Sequence, residues 1–391
     1  MRPSHRVLLL ATGIGVTMWA AGTVWSAVAL HPVDHYLVAY YLADYRFGFV
    51  RRGLAGALVG PSDAAGFFGR AGAVRWTITA VYLAALAVLA GAIVRTGRSE
   101  RRIMLALLVP VLPFGVPFAV FSARPDLLGA SAVVALALGV TTRPALSCAA
   151  YGLLTSILAF MHDAIPLEFA LGAVLAIYVL AQALTPTQRR RYAALAVFPG
   201  LAVAGFITAF SRHDVADRLC ATTPHRLMRM MASFQDFQNF ARTGGLPTRD
   251  FHDWACRAYL NQYQHGVLHN VQTVAARGAG QMATALLLGV VGVVACLAAV
   301  QFVSGVPIRD FLGELRDRWA GAVCALALFV PIFVTAFDWV RWMLLIAFNI
   351  TVAYLLFLRG RPELDRPPTS RAAYVAIVCA FAALPLGLVP G

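Results

Sequence analysis

Long apolar runs broken by short polar turns dominate this chain, and that pattern is the first thing it specifies. Val7–Leu30 runs for 24 residues without a charge, longer than the 7–15-residue core of a secretory signal, and so reads as a membrane span. Ten more runs follow: Trp76–Val94, Ile103–Ser122, Leu127–Thr141, Pro144–Met161, Pro166–Leu184, Tyr192–Phe210, Gln281–Val303, Ala320–Phe337, Trp342–Leu358 and Ala372–Val389. The fourth is short and the last is broken by proline, so the pattern predicts about 11 transmembrane helices, with a range of 10–12. An all-α polytopic membrane protein is the expected fold class, with residues 1–391 forming a single transmembrane domain.

Composition agrees. Hydrophobic residues make up 60% of the 391 and charged residues 13%, about half the share in a soluble chain. At about 20 residues per span, too little remains for an appended soluble enzyme. All 32 basic residues are Arg; an Ala-, Gly- and Arg-rich chain of this kind points to a GC-rich bacterial genome. No internal repeat is visible, which disfavours transporters built from duplicated halves.

Charge placement sets the orientation. With the N-terminus cytoplasmic, the inner segments hold 17 Arg against 7 in the outer ones, the long 211–278 segment set aside. The net charge of +14 is therefore a topology signal, and nucleic acid is not an expected partner. This orientation puts eight of nine His and twelve of eighteen acids outside. The chemistry is expected on the extracytoplasmic face of a bacterial inner membrane, in contact with membrane lipids.

Two outer segments are large. Residues 31–75 form an amphipathic, aromatic first outer loop, with helical spacing over 34–45 that suits an interfacial helix. It carries Asp34 and Asp44, then Arg46, Arg51 and Arg52. Arg grips phosphate through paired hydrogen bonds, so a lipid-linked phosphate at headgroup depth would meet this segment. Structural ion pairing and snorkelling account for the same residues equally well. The other turnarounds carry Arg124 and Asp126 around a proline, His162 and Asp163 before Glu168, and Asp338 with Arg341 at i, i+3. An ionisable group at membrane depth, such as Glu168, is a functional candidate by default.

The 211–278 loop reads as helical, with Leu227–Phe240 and Phe251–Tyr263 separated by a Gly-Gly-Leu-Pro turn. Cys220 and Cys256 are the only outer cysteines, and an oxidising compartment permits a disulfide between them. His265 and His269 lie at i, i+4 without a third ligand, so no metal or other cofactor is expected; a divalent cation is not indicated.

An acid just past the first span, the aromatic first outer loop, about eleven spans and charged outer turnarounds together resemble the C-type (GT-C) integral membrane glycosyltransferases. The resemblance covers the layout of the whole chain. It implies transfer of a sugar from a polyprenyl-phosphate-linked donor to a glycan, lipid or protein acceptor, with inversion. It also implies that a first-loop acid is the base: Asp34 is the matching position, Asp44 the substitute. Arg51 and Arg52 would meet the departing phosphate, with Arg341 or Arg124 as alternatives, while Glu168, His162 and Asp338 would orient sugar hydroxyls. The adjacent acidic pair and large C-terminal domain of better-known members are lacking. A polymerase of lipid-linked repeat units, relying on Arg in 211–278, and a transporter or lipid flippase are the competing expectations.

Overall fold

The computed structural model describes residues 3–30, 34–60, 63–230 and 234–384. It is 77% helical, as expected of an all-α polytopic membrane protein. α1 (Pro3–Leu30) is followed by the short α2 (His35–Ala39) and α3 (Gly53–Val59) and by the 32-residue α4 (Ala64–Arg95). α5 (Glu100–Leu108) and α6 (Val116–Phe121) form one apolar stretch interrupted at Pro110 and Pro113, which have no N–H to continue the helix. Then come α7 (Asp126–Gly139), α8 (Pro144–Ala159), α9 (Ile165–Leu175), which a π-turn extends to Leu180, and α10 (Pro186–Phe210).

Residues 211–278 hold α11 (Ala216–Ala221), β1 (Leu227–Arg229), α12 (Phe234–Thr243), β2 (Thr248–Asp250), α13 (Phe251–Trp254) and α14 (Val267–Ala276). α15 (Ala279–Ser304), α16 (Ile308–Gly313), α17 (Trp319–Ala327), α18 (Phe329–Thr335), α19 (Trp339–Leu358) and α20 (Arg371–Ala383) complete the order. Six stretches are long and apolar enough to cross a bilayer, and five shorter apolar helices, among them Trp319–Thr335, match the remaining predicted runs. Residues 385–389 of the last run lie outside the described residues.

α19 is the axis of the bundle. Its apolar stretch is 89% buried, against 11% for that of α1, most of whose surface is exposed. α19 packs along α15, α9 and α7.

The turnarounds sort into two ends. At one, Ser99 donates to Leu364 O, Arg101 to Pro367 O, Arg371 to Glu100 and Arg318 to Tyr178 O. Apart from Tyr178, near the end of the Pro166–Leu184 run, these residues come from the segments that Arg counting assigns to the inside. At the other, Arg124 meets Asp338, Arg52 meets Asp163, and the amide of Arg212 donates to Phe49 O.

Two expectations change. The 34–45 stretch is not one interfacial helix: α2 stops at Ala39, and Leu37 through Asp44 are all buried. The chain dives into the bundle instead of lying on it, which is allowed because its irregular backbone is enclosed by protein. Within 211–278, Leu227–Arg229 is a strand, not the start of a helix, and pairs antiparallel with Thr248–Asp250. The Gly-Gly-Leu-Pro turn brings the two strands together.

α3 locks the buried segment from beneath. A Cβ at Gly56 would run into the carbonyl oxygen of Ala43, a backbone atom that cannot step aside. Gly56→Val is therefore expected to destabilise the protein by about 1–3 kcal/mol through overpacking. Thermal unfolding in detergent measures this; an unchanged midpoint would mean α3 does not hold residues 41–43.

Candidate functional site

Asp34 starts the site. Its Oδ1 accepts from the amides of Tyr36 (2.9 Å) and Leu37 (3.1 Å), capping α2 where the chain leaves α1. The helical turn then puts Tyr36 and Tyr40, four residues apart, on one face with ring centroids 6.0 Å apart. Asp44 caps a separate 3-10 turn at Tyr45–Phe47 and is taken up by Arg46, whose amide lies 3.0 Å from Oδ1 and whose Nε lies 2.6 Å from Oδ2. Arg52 is the one described non-glycine residue in the left-handed region, at φ 61°. Such strained positions concentrate where function demands a set geometry. Here the reversal separates two neighbouring guanidiniums. Arg52 lies 3.2 Å from Asp163 and over the Tyr40 ring, while Arg51 donates to Gln262 O at 2.9 Å and lies over Tyr263.

Two further turnarounds interlock. Arg124, before α7, reaches across to Asp338 at 2.7 Å, and Arg341 in α19 reaches back to Asp126 at the start of α7. Arg341 is 3.8 Å from Asp338, so the i, i+3 pair anticipated within one helix is secondary to two contacts between helices. Arg124 also stands over Tyr36 and Tyr40, at 4.8 and 5.6 Å from their centroids. His162 stacks on Tyr40 as well, with ring centroids 5.8 Å apart. Its Nδ1 accepts from Ala164 N (3.3 Å), so the neutral ring carries its proton on Nε2.

Glu168 enters from the first turn of α9, fully buried, with neither carboxylate oxygen hydrogen-bonded. It is within electrostatic range of Arg124, Arg52, Asp163 and Asp338. Asn349 of α19 donates to its backbone carbonyl at 2.7 Å. The set is balanced but incompletely paired. Arg52, Arg124 and Arg341 each have an Asp; Arg51, held by a neutral carbonyl, and Glu168, whose carboxyl oxygens accept no hydrogen bond, are the basic and acidic groups of this set without an ion-pair partner.

Electrostatics hold the turnaround groups in fixed charge states. Burial, reinforced by Arg52, lowers His162 to about 3, so the ring is neutral at physiological pH. Burial alone would raise Asp163, yet Arg52 and Arg51 outweigh it and hold the carboxyl well below its ordinary range. Burial raises Asp338, opposed by Arg124. Burial and then Tyr40 push the Tyr36 phenol up to about 12, leaving it a hydroxyl donor.

The tertiary structure thus gathers Arg52, Arg124, Asp126, His162, Asp163, Glu168, Asp338 and Arg341 into one buried ring, with Arg51 at its edge. It does not gather Asp44 and Arg46, which face Thr222 and Thr223 across a 30 Å³ gap, about the size of one water. Asp34 also sits to one side, where its charge acts on the adjacent His35 and on Arg75 of α4. The sequence reading missed Arg75. It is 2% exposed, donates to Val120 O at 3.0 Å, and has Nε and Nη1 without partners. A single Arg directly before the Trp76 run was the available signal. The reading also missed Tyr259 and Tyr263, which close the ring from the 211–278 segment. A hollow of 490 Å³ lined by Phe68 and Arg226 opens elsewhere, beside the first turn of α4. Cys220 and Cys256 are bonded at 2.03 Å.

The comparisons with known proteins bear on the whole chain. The family model described as uncharacterised membrane protein Rv1490 matches residues 9–384. Uncharacterised proteins of Mycobacterium bovis and Mycobacterium tuberculosis are 40% identical over 385 residues, covering 95% of this chain and 88% of theirs. No solved structure matches at a significant level. A match of this extent and identity means that the chain belongs to the Rv1490 family of membrane proteins.

Proposed function

We propose that the protein is a membrane glycosyltransferase of the GT-C kind, using a polyprenyl-phosphate-linked sugar at the end of the bundle where the charged ring lies. The observation that carries this reading is the incomplete pairing of the ring. Arg51 is a guanidinium with no carboxylate in ion-pair contact, at the edge of the ring, and Glu168 is a carboxyl group without a hydrogen-bond donor. A ligand with a phosphate at one end and hydroxyls at the other would satisfy both, and a lipid-linked sugar is such a ligand. Arg51 would hold the phosphate in the ground state and as it gains charge on departure. Glu168 would accept from a sugar hydroxyl, with the neutral His162 and the paired Asp338 beside it.

Asp34 is the base in this reading. Asp44 has both oxygens engaged by Arg46, whereas Asp34, to one side of the ring, engages Oδ1 with two amides. Asp34 would remove the acceptor hydroxyl proton as that oxygen attacks the anomeric carbon and the C–O bond to phosphate breaks. The chemistry faces the extracytoplasmic side of the inner membrane, as the Arg asymmetry implies.

The test uses purified full-length protein in detergent with short-chain polyprenyl-phosphate sugars and a mixed glycan and lipid acceptor pool. Arg51→Ala is expected to raise the donor concentration needed for half-maximal transfer by roughly tenfold or more, in line with loss of a charge-assisted contact of about 1.5–3 kcal/mol. If the wild type transfers no sugar from any donor and Arg51→Ala leaves donor binding unchanged, the glycosyltransferase reading fails.

A further inference from the structure

The long outer segment contains a second cluster that the charged ring does not use. Cys220 lies in the last turn of α11, and Cys256 lies two residues past α13. His252 sits one helical turn before Cys256, and its Nε2 lies 3.9 Å from Cys220 Sγ and 3.8 Å from Cys256 Sγ. The three ligand atoms fall within 4.8 Å of one another, and all three residues are half-buried. Behind the imidazole, Nδ1 is 3.4 Å from Asp253 Oδ1. The His225 ring stacks on His252 at 3.9 Å and is itself tied to Asp250 at 2.7 Å.

We infer that Cys220, Cys256 and His252, with the two cysteines reduced, form a three-ligand site for a zinc-class divalent metal, and that the disulfide is the metal-free, oxidised form of that site. Zinc takes thiolate at about 2.3 Å and imidazole at about 2.0–2.1 Å, so a tetrahedron built on these bonds has ligand-to-ligand edges of roughly 3.3–3.8 Å. The two nitrogen-to-sulfur edges are already near that length. Only the sulfur-to-sulfur edge must open, and breaking the bond opens it. A carboxylate behind the imidazole is the usual means by which proteins fix a metal-bound histidine, and Asp253 stands there. Two thiolates and one imidazole are a borderline-soft donor set, which selects zinc over magnesium or calcium. Water would fill the fourth position.

The balance is simple. A phosphine and one water reduce the disulfide to two thiols, the phosphine leaving as its oxide; metal binding then releases two thiol protons. By contrast, the stacked pair His265 and His269 at 3.8 Å has no thiol beside it among the described residues and serves as the control.

The experiment uses full-length protein with Cys324 and Cys379 changed to Ser, reduced with a phosphine and titrated anaerobically with cobalt(II). One equivalent is expected to bind with a thiolate-to-cobalt charge-transfer band and tetrahedral d–d bands, and zinc should displace it. His252→Ala and Cys220→Ser should each abolish the bands, Asp253→Asn should weaken binding roughly 10–100-fold, and His265→Ala should change nothing. Absence of a thiolate band, a band that survives His252→Ala, or a band lost in His265→Ala overturns the inference. Reduction that loosens the loop does not rescue it. Metal binding to such a site supplies folding energy, so zinc must restore resistance to limited proteolysis; failure to restore it also counts against the site. None of these outcomes depends on glycosyl transfer.

Discussion

Asp34→Asn is expected to lower transfer by roughly 10²–10⁴-fold, the usual loss when a general base is removed. The structure makes this substitution unusually clean. Asp34 caps α2 through Oδ1, and Asn is as good an N-cap as Asp, so the amides of Tyr36 and Leu37 keep their acceptor while the capacity to take a proton is lost. Folding and donor binding should therefore stay near the wild-type level. Asp34→Ala, by comparison, should also lose about 1 kcal/mol of stability with the cap. Asp44→Asn is the internal control. Its carboxylate neutralises Arg46, so a modest effect is expected from that variant. The assay is initial-rate sugar transfer at saturating donor, with thermal unfolding run in parallel. If Asp44→Asn abolishes transfer and Asp34→Asn does not, the base is misassigned. If Glu168→Gln alone abolishes it, the carboxylate inside the ring is the base.

Arg124→Ala should produce the largest loss of stability, on the order of 3–5 kcal/mol, because it removes the closer cation of the buried Asp338 carboxylate and leaves it only Arg341 at 3.8 Å. The pair lies at 2.7 Å with side chains 8% and 10% exposed, and it fastens the start of α7 to the start of α19. In detergent the melting midpoint should fall by about 5–10 °C. The double variant Arg124→Met with Asp338→Leu should recover much of that loss, since removing both members of a buried ion pair is often neutral. It should not recover sugar transfer, because Tyr36 and Tyr40 lose the cation that stands over them. Recovery of both stability and transfer would reduce the Arg124–Asp338 pair to scaffolding.

Most of the architecture was legible because a bilayer imposes it. Each spanning segment must satisfy its own backbone in a helix and be apolar along its length, so Val7–Leu30 or Gln281–Val303 can be read without knowing any neighbour. The two ends of the bundle were legible for a similar reason. Arg placement follows the membrane and not the packing, and Arg101, Arg318 and Arg371 meet at one end as their segments required. The Asp34 and Asp44 region was only partly legible. Aromatic residues at helical spacing fit an amphipathic surface helix and a buried plug equally well, and the close approach of Gly56 to Ala43 that selects the plug is a contact between segments. The Leu227–Arg229 strand escaped notice because three residues carry too little periodicity to register; its identity comes from pairing with Thr248–Asp250.

The same division runs through the site. Sequence alone determined which residues had reason to matter: ionisable groups at membrane depth are costly, and each of Arg124, Asp126, His162, Asp163, Glu168, Asp338 and Arg341 stands out against an apolar background. Their partners were decided only in three dimensions. Asp338 and Arg341 are three residues apart, yet each bonds first to another helix, because α7 and α19 lie side by side and the guanidinium of each spans the gap. Pairing of buried charges depends on distances of 3 or 4 Å between segments two hundred residues apart, and no local pattern encodes those distances. For the same reason, the lack of partners on Glu168 and on two of the Arg75 nitrogens belongs to the packed bundle: a group is left unpaired only relative to the neighbours that the fold has brought to it.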